Sequence, residues 1–148
     1  MRLLKKLTSD MWLIDDPRLP EWAARRIPHV GEDGFGPCYA LGIAKRGEII
    51  ATMVYHDFIP SYGNIQLSMA ATSPAWARRT SIKELLRYPF NDLGVQRVTT
   101  MIAESNTRAI RLNEGLGFVR EGLVRRGFGN DNAVILGLLR EDAEKWIA

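Results

Sequence analysis

Four side chains that can transfer a proton lie at or near the ends of apolar segments of this sequence. His56 and Asp57 are neighbours near the end of an apolar segment, Tyr55 precedes them, and Glu104 follows a second apolar segment. An imidazole or carboxylate in a cleft can act as general base in a reaction that begins with loss of a proton. The alternative is structural, since such residues at strand ends are commonly turn or rim residues. The sequence therefore leaves the catalytic group unknown, with His56, Asp57 and Glu104 as the candidates.

Paired basic residues are the second chemical feature. The 20 lysines and arginines outnumber the 17 acidic residues, which gives a net charge of +3, and several arginines are adjacent, as in Arg78 and Arg79. This balance favours an anionic ligand without requiring nucleic acid. Aromatic residues are not interleaved with the arginines in a stacking pattern, so nucleic-acid binding is the weaker alternative.

Metal and hydrolase signatures are not recognisable in the sequence. The two histidines and the single cysteine lie in unrelated parts of the chain, so no metal site is predicted. No linear pattern indicates a Ser-His-Asp or Cys-His catalytic group.

The size and composition predict one domain over residues 1–148. Of these residues 46% are hydrophobic, enough for one core. Cys38 has no partner for an internal disulfide, which favours a reducing, cytoplasmic setting. The first 16 residues are too interrupted by charge for a signal peptide, and no apolar run is long enough to cross a membrane, so no membrane association is expected.

The hydrophobic pattern predicts alternating strands and helices. A stripe of apolar residues at helical spacing predicts one helix over 75–93, which Pro89 must kink or end. The other predicted helices cover 17–27, 106–116 and 140–148, and the predicted strands form a hairpin over 38–58 and the segments 64–71, 95–103, 118–126 and 132–140. A strand-helix-strand passage within an otherwise antiparallel set predicts a mixed α/β (α+β) sheet with helices packed on it.

The segment at 106–122, NTRAIRLNEGLGFVREG, carries the most specific pattern. Asn106 alone is a good helix N-cap, and Gly117-Phe118 alone is a helix stop followed by a core residue. Their joint spacing resembles the last core motif of the GNAT N-acetyltransferase superfamily. The segment RYPFNDLGVQRV at 87–98 is similar to a helix end and the following strand in the branch that includes the ribosomal-protein N-terminal acetyltransferases. The whole resemblance covers about residues 38–140.

The resemblance implies a GNAT fold whose fourth and fifth strands, here 64–71 and 95–103, splay apart around acetyl-CoA as co-substrate. The amides of pantetheine would pair with the free strand edge, as a peptide completes a sheet. The resemblance assigns Met69, Ala70 and Ala71 to that contact. It also implies that Asn106 caps the last core helix while its side chain reaches a coenzyme amide. The small side chain of Ala109 would let the coenzyme lie close against the same helix.

The pyrophosphate loop departs from the family pattern. The segment SPAWARRTSIKELL contains no glycine, whereas the loop of the resembled family is normally patterned Gln/Arg-x-x-Gly-x-Gly/Ala. Arg78, Arg79, Thr80 and Ser81 offer charge and hydroxyls at a helix start, where an anion is favoured. The alternative is that they are only a solvated helix end.

The resemblance implies direct attack of a primary amine on the thioester in a ternary complex. The family's tyrosine acid is replaced by Asn113, which we group with the coenzyme-facing residues, and the branch's glutamate base is replaced by Gln66. Lacking an obvious base, the site is expected to prefer an N-terminal or small-molecule amine of low pKa. The alternative is a non-catalytic acyl-CoA-binding module. The chain is expected to be a monomer or a homodimer.

Overall fold

A computed structural model describes residues 1–148 as one eight-stranded sheet with four α-helices. The strand order is β1-β2-β3-β4-β5-β6-β8-β7, and only the β5–β6 pair is parallel. The mixed, mostly antiparallel sheet with flanking helices is therefore confirmed. The elements are β1 Arg2–Lys6, β2 Met11–Asp15, α1 Leu19–Ala24, β3 Cys38–Lys45, β4 Glu48–Ile59, β5 Asn64–Ala71, α2 Arg79–Arg87, β6 Arg97–Ala103, α3 Thr107–Leu116, β7 Val119–Phe128, β8 Asp131–Leu139 and α4 Arg140–Ile147.

An N-terminal hairpin adds two strands that the pattern did not predict. All five residues of β1 are exposed, so the segment has no hydrophobic alternation that would mark it as a strand. It is held by pairing with β2, which in turn pairs with β3. The splayed strands are consequently the fifth and sixth of this chain, β5 and β6.

The helix predicted over 75–93 is divided into three pieces. A 3-10 turn at Pro74–Trp76 is capped by the Ser73 hydroxyl, which accepts from the Ala75 N–H at 3.2 Å. After α2, a π-helical turn spans Tyr88–Asp92. The prediction that Pro89 ends or kinks the helix is confirmed, because proline lacks the N–H that a continuing helix needs.

Two cores lie on opposite faces of the sheet. The smaller core lies beneath α1, where Leu19 approaches the strand at Gly42, and a Cβ at Gly42 would lie 2.6 Å from the Leu19 side chain. The larger core lies beneath the other three helices and includes Leu85, Ile110 and Ala143. We call these two surfaces the α1 face and the α2 face.

None of the helices in the structure combines the length and the apolar character that crossing a bilayer requires.

Candidate active site

Strand β5 is paired very differently along its two edges. Its pairing with β4 runs from Asn64 to Ala71, interrupted only by a bulge, whereas its pairing with β6 ends at Gln66 opposite Thr99. Beyond that rung the hydroxyl of Thr100 donates to the Leu67 carbonyl at 2.9 Å, and no further main-chain rungs follow. The expected splay between these two strands is present.

The hydrogen-bond register shows which groups of β5 face the gap. In an antiparallel pair, the N–H and C=O groups of alternate residues point to the same edge. The Thr72 N–H donates to the Ile50 carbonyl, so the even-numbered residues of this strand face β4. Leu67, Met69 and Ala71 therefore direct their main-chain groups into the gap, in agreement with the Thr100 contact to Leu67.

The three residues predicted to hold pantetheine differ in their presentation. Met69 is half-buried and Ala71 is exposed, and both face the gap with their main chain. Ala70 turns its main chain toward β4, opposite Thr52, and its side chain packs in the core beneath α1. Main-chain contacts with a ligand in the gap would thus come from Met69 and Ala71.

The start of α2 offers fewer free groups than the sequence suggested. Arg78 and Thr80 are exposed there. Arg79 instead donates to the Lys145 carbonyl at 2.6 Å, and its guanidinium lies 5.4 Å from the Trp146 ring. Arg79 therefore also holds α4 against α2.

Ser81 lies in the same first turn of α2, on the side that faces the core. It has no exposed surface, and its hydroxyl has no hydrogen-bond partner. A direct contact between Ser81 and a phosphate would require the surrounding side chains to move.

Helix α3 begins and ends as its sequence predicts. The side-chain Oδ1 of Asn106 accepts from the Ala109 N–H at 3.2 Å, which confirms the cap, and Gly117 ends the helix at φ 112°. Ala109 is half-buried along the helix. The amide of Asn113 donates to the Ala109 carbonyl at 2.8 Å, so that amide is engaged within the helix.

A carboxylate, an imidazole and a hydroxyl form a continuous chain of hydrogen bonds beside the gap. Nδ1 of His56 lies 2.5 Å from the Asp57 carboxylate, and Nε2 lies 2.8 Å from the Ser68 hydroxyl. The carboxylate only accepts, so in the neutral ring Nδ1 carries the proton and Nε2 accepts from Ser68. His56 is thereby held in the tautomer that a general base requires.

Sequence reasoning missed Ser68, because it lies twelve residues from His56. Its position depends on the antiparallel register, which places His56 opposite Gln66 and Ser68 one pleat further along the same face. A bulge follows His56, and Asp57 adopts φ 52°, which turns its carboxylate back toward the imidazole. The adjacent His-Asp pair was the only sequence signal for this cluster.

The other titratable candidates are engaged elsewhere. Glu104 accepts from the Asn132 amide at 3.0 Å and lies 3.5 Å from the Arg120 guanidinium, so it links β6 to the last hairpin. Tyr55 is fully buried, which raises the pKa of its phenol well above the ordinary value, and it donates to the Leu85 carbonyl at 2.5 Å. Neither residue is hydrogen-bonded to His56.

The segment between α1 and β3 packs over this side of the sheet. The Phe35 ring lies 5.4 Å from the His56 ring, and the His29 ring stacks on Phe128 of the last hairpin at 3.8 Å. Burial lowers the pKa of His29. The side chain of His56 is only 11% exposed. The candidate base is therefore largely sheltered from solvent on the α1 face.

Comparison with solved structures identifies the fold. No family model matches this sequence, and no curated protein matches it either. A mutant form of spermidine N-acetyltransferase SpeG from Vibrio cholerae is similar to it with a TM-score of 0.71 and 16% identity, over 92% of this chain and 97% of that one. A T. thermophilus protein classed among the acetyltransferases gives a TM-score of 0.70 and 19% identity, over 98% and 93% of the two chains.

A dodecameric structure of the Vibrio cholerae spermidine enzyme matches as well, with a TM-score of 0.71 and 17% identity over 90% of this chain and 96% of that one. At these identities the likeness shows the fold alone. The chain has the GNAT acetyltransferase fold, which confirms the fold class predicted from the sequence.

Proposed function

We propose that this protein transfers an acetyl group from acetyl-CoA to a primary amine by direct attack in a ternary complex. The observation that carries the proposal is the open edge of β5 beyond Gln66, which lies beside the His56–Asp57 pair. The free main-chain groups suit a chain of amides such as pantetheine. The Met69 N–H suits the negative charge that develops on the thioester oxygen.

The coenzyme would extend from the gap toward the starts of α2 and α3. Arg78 and Thr80 are exposed at the first helix, where the helix dipole favours an anion. Asn106 and Ala109 would border the coenzyme on α3. The predicted contacts of Arg79, Ser81 and Asn113 belong to the same proposal, although Arg79 and Asn113 already hold other partners.

His56 is the base we assign to the reaction, with Asp57 orienting it. Imidazole is the general base that enzymes use most often, and the ring tautomer here leaves Nε2 free to take a proton once Ser68 moves or relays it. His56 lies opposite Gln66, the position at which the resembled branch has a glutamate. In this proposal His56 would supply the base beside Gln66, which cannot act as one itself.

The acceptor is proposed to be an N-terminal or small-molecule amine. An α-amine has a pKa of about 7.7 to 8.0, so near neutral pH it loses its proton at far smaller free-energy cost than a lysine at about 10.4.

Three further expectations belong to the proposal. The protein is proposed to act in the cytoplasm and to belong to the branch that includes the ribosomal-protein N-terminal acetyltransferases. It is also proposed to be a monomer or a homodimer.

The test is release of the coenzyme thiol from acetyl-CoA with a panel of α-amino peptides, small amines and lysine peptides. Faster turnover with α-amines than with a lysine peptide supports the proposal. Equal rates on both classes contradict the acceptor preference. Saturable coenzyme binding with no acetylated amine in the panel would favour the acyl-CoA-binding module instead.

A further inference from the structure

We propose that Ser68 is a nucleophile and that the protein also hydrolyses acyl-thioesters, or comparable activated acyl esters, when no amine is present. This inference rests on the proposed coenzyme site only where the acyl donor is acetyl-CoA. The hydrolytic group itself is built from residues of β4 and β5.

The geometry of the three side chains carries the inference. Asp57, His56 and Ser68 are joined in that order by contacts of 2.5 and 2.8 Å. This is the arrangement by which a carboxylate orients an imidazole and the imidazole activates a serine hydroxyl, an arrangement that recurs on unrelated folds. Ser68 is half-buried and follows the last β5–β6 rung by two residues, so it adjoins the open part of the gap.

An oxyanion donor lies next to the proposed nucleophile. The N–H of Met69, the residue after Ser68, points into the gap, where β6 provides no main-chain partner. In α/β-hydrolases the residue after the nucleophile likewise supplies one oxyanion-hole N–H. Hydroxyl, base and donor therefore come from two adjacent strands that hold them rigidly.

Cys38 is the rival nucleophile on the same face, since it lies opposite His56 on β3. Its thiol is not hydrogen-bonded to the imidazole, whose Nε2 is occupied by the Ser68 hydroxyl. Burial also raises the pKa of Cys38, which disfavours the reactive thiolate. The contacts therefore single out Ser68.

The reaction proceeds in two balanced steps. His56 takes the hydroxyl proton as Ser68 Oγ bonds to the acyl carbon, and the carbon–sulfur bond breaks, with that proton passing to the departing thiolate. Water then attacks the acetyl-serine, giving one proton to His56, and the carbon–oxygen bond to Ser68 breaks as the serine regains a proton. The products are the free thiol, acetate and one proton released to solvent, and no oxidant or reductant is consumed.

The experiment combines a covalent probe with an amine-free assay. A fluorophosphonate probe is expected to label Ser68 in the wild-type protein, as located by peptide mapping, and to leave Ser68→Ala unlabelled. Amine-free hydrolysis of acetyl-CoA and of p-nitrophenyl acetate is expected to fall by about 10²-fold or more in Ser68→Ala. Ser61→Ala, in the exposed turn before β5, is the matched control and is expected to behave as wild type.

The outcomes separate this inference from the proposed function. Labelling of Ser68 together with loss of hydrolysis in Ser68→Ala supports the inference, whether or not any amine is acetylated. Amine acetylation without labelling of Ser68, and with unchanged amine-free hydrolysis in Ser68→Ala, overturns it while leaving the proposed function intact. Because the probe acts on the wild-type protein, the test does not depend on the folding of a variant.

Discussion

The two edges of β5 differ in how much of their main chain is hydrogen-bonded within the sheet. The edge toward β4 is paired almost throughout, and its register places Ala70 opposite Thr52 and His56 opposite Gln66. The edge toward β6 is paired over three residues only, and then the strands separate. One strand therefore uses alternate main-chain groups to hold the sheet together and to face a gap.

This difference has a direct physical consequence for how a ligand is held. Main-chain N–H and C=O groups that lack a partner are strong hydrogen-bonding groups, and a ligand that supplies amides gains their full pairing. Because β5 is hydrogen-bonded to β4 along its length, the main-chain groups on its free edge are held in fixed positions. Substitutions can therefore affect one edge while sparing the other.

Removing the proposed base is expected to have the largest effect. His56→Gln should lower amine acetylation by about 10²- to 10⁴-fold, because general-base catalysis contributes on that order. His29→Gln changes the only other histidine and should retain turnover. Initial rates of thiol release at saturating amine measure both. Equal losses in the two variants would remove His56 from the mechanism.

Proline substitutions test the two edges directly. Met69→Pro deletes a gap-facing N–H and should lower turnover by about 10²- to 10³-fold while the fold is retained. Ala70→Pro deletes an N–H that faces β4 and should destabilise the protein by about 1 to 3 kcal/mol, because a main-chain group of β4 loses its partner. Denaturant unfolding and thiol release, measured on both, distinguish these effects. A Met69→Pro variant as unstable as Ala70→Pro would show that the gap edge is structural.

The hydroxyl of Thr100 marks the point at which the strands part. Thr100→Val should destabilise the protein by about 1 to 3 kcal/mol, because the Leu67 carbonyl loses its partner in a buried place. Thr100→Ser retains the hydroxyl and serves as control. Midpoints of urea unfolding measure the difference. Indistinguishable midpoints for the two variants would argue that water replaces the hydroxyl.

Asn106 combines a cap with a proposed coenzyme contact. Asn106→Ala should cost about 1 kcal/mol of stability, whereas Asn106→Asp should keep the cap. Since the aspartate lacks the amide donor, its acetyl-CoA affinity should fall as in the alanine variant. Calorimetric titration with the coenzyme tests this point, and wild-type affinity in Asn106→Asp would leave Asn106 only its capping role.

A smaller effect is expected from pH at the segment over the α1 face. Burial lowers the pKa of His29, so its neutral form is favoured where it stacks on Phe128. The resulting stabilisation is complete above the unfolded pKa of about 6.5 and is lost as pH falls through the lower folded value. An NMR titration of the His29 ring should show this shift, and the melting temperature of His29→Phe should depend less on pH in that range.

The elements with strong local signals were predictable. The cap at Asn106 and the stop at Gly117 were read from residue types alone, as was the break at Pro89. Strand β1 was not, because all five of its residues are exposed and the strand is held by its pairing with β2. The single-domain extent, the coenzyme contacts and the acceptor remain predictions.

The residue types and spacings of this chain determined its fold class, since helix caps, turns and hydrophobic periodicity act over a few residues. Tertiary structure decided the composition of the candidate site. In the folded protein Arg79 donates to a carbonyl of α4 and Tyr55 is buried in the core. The Ser68 hydroxyl lies within hydrogen-bond distance of the His56 ring. The physical reason is that cross-strand register and the splay of β5 from β6 are set by packing across the whole sheet, which no short stretch of sequence encodes.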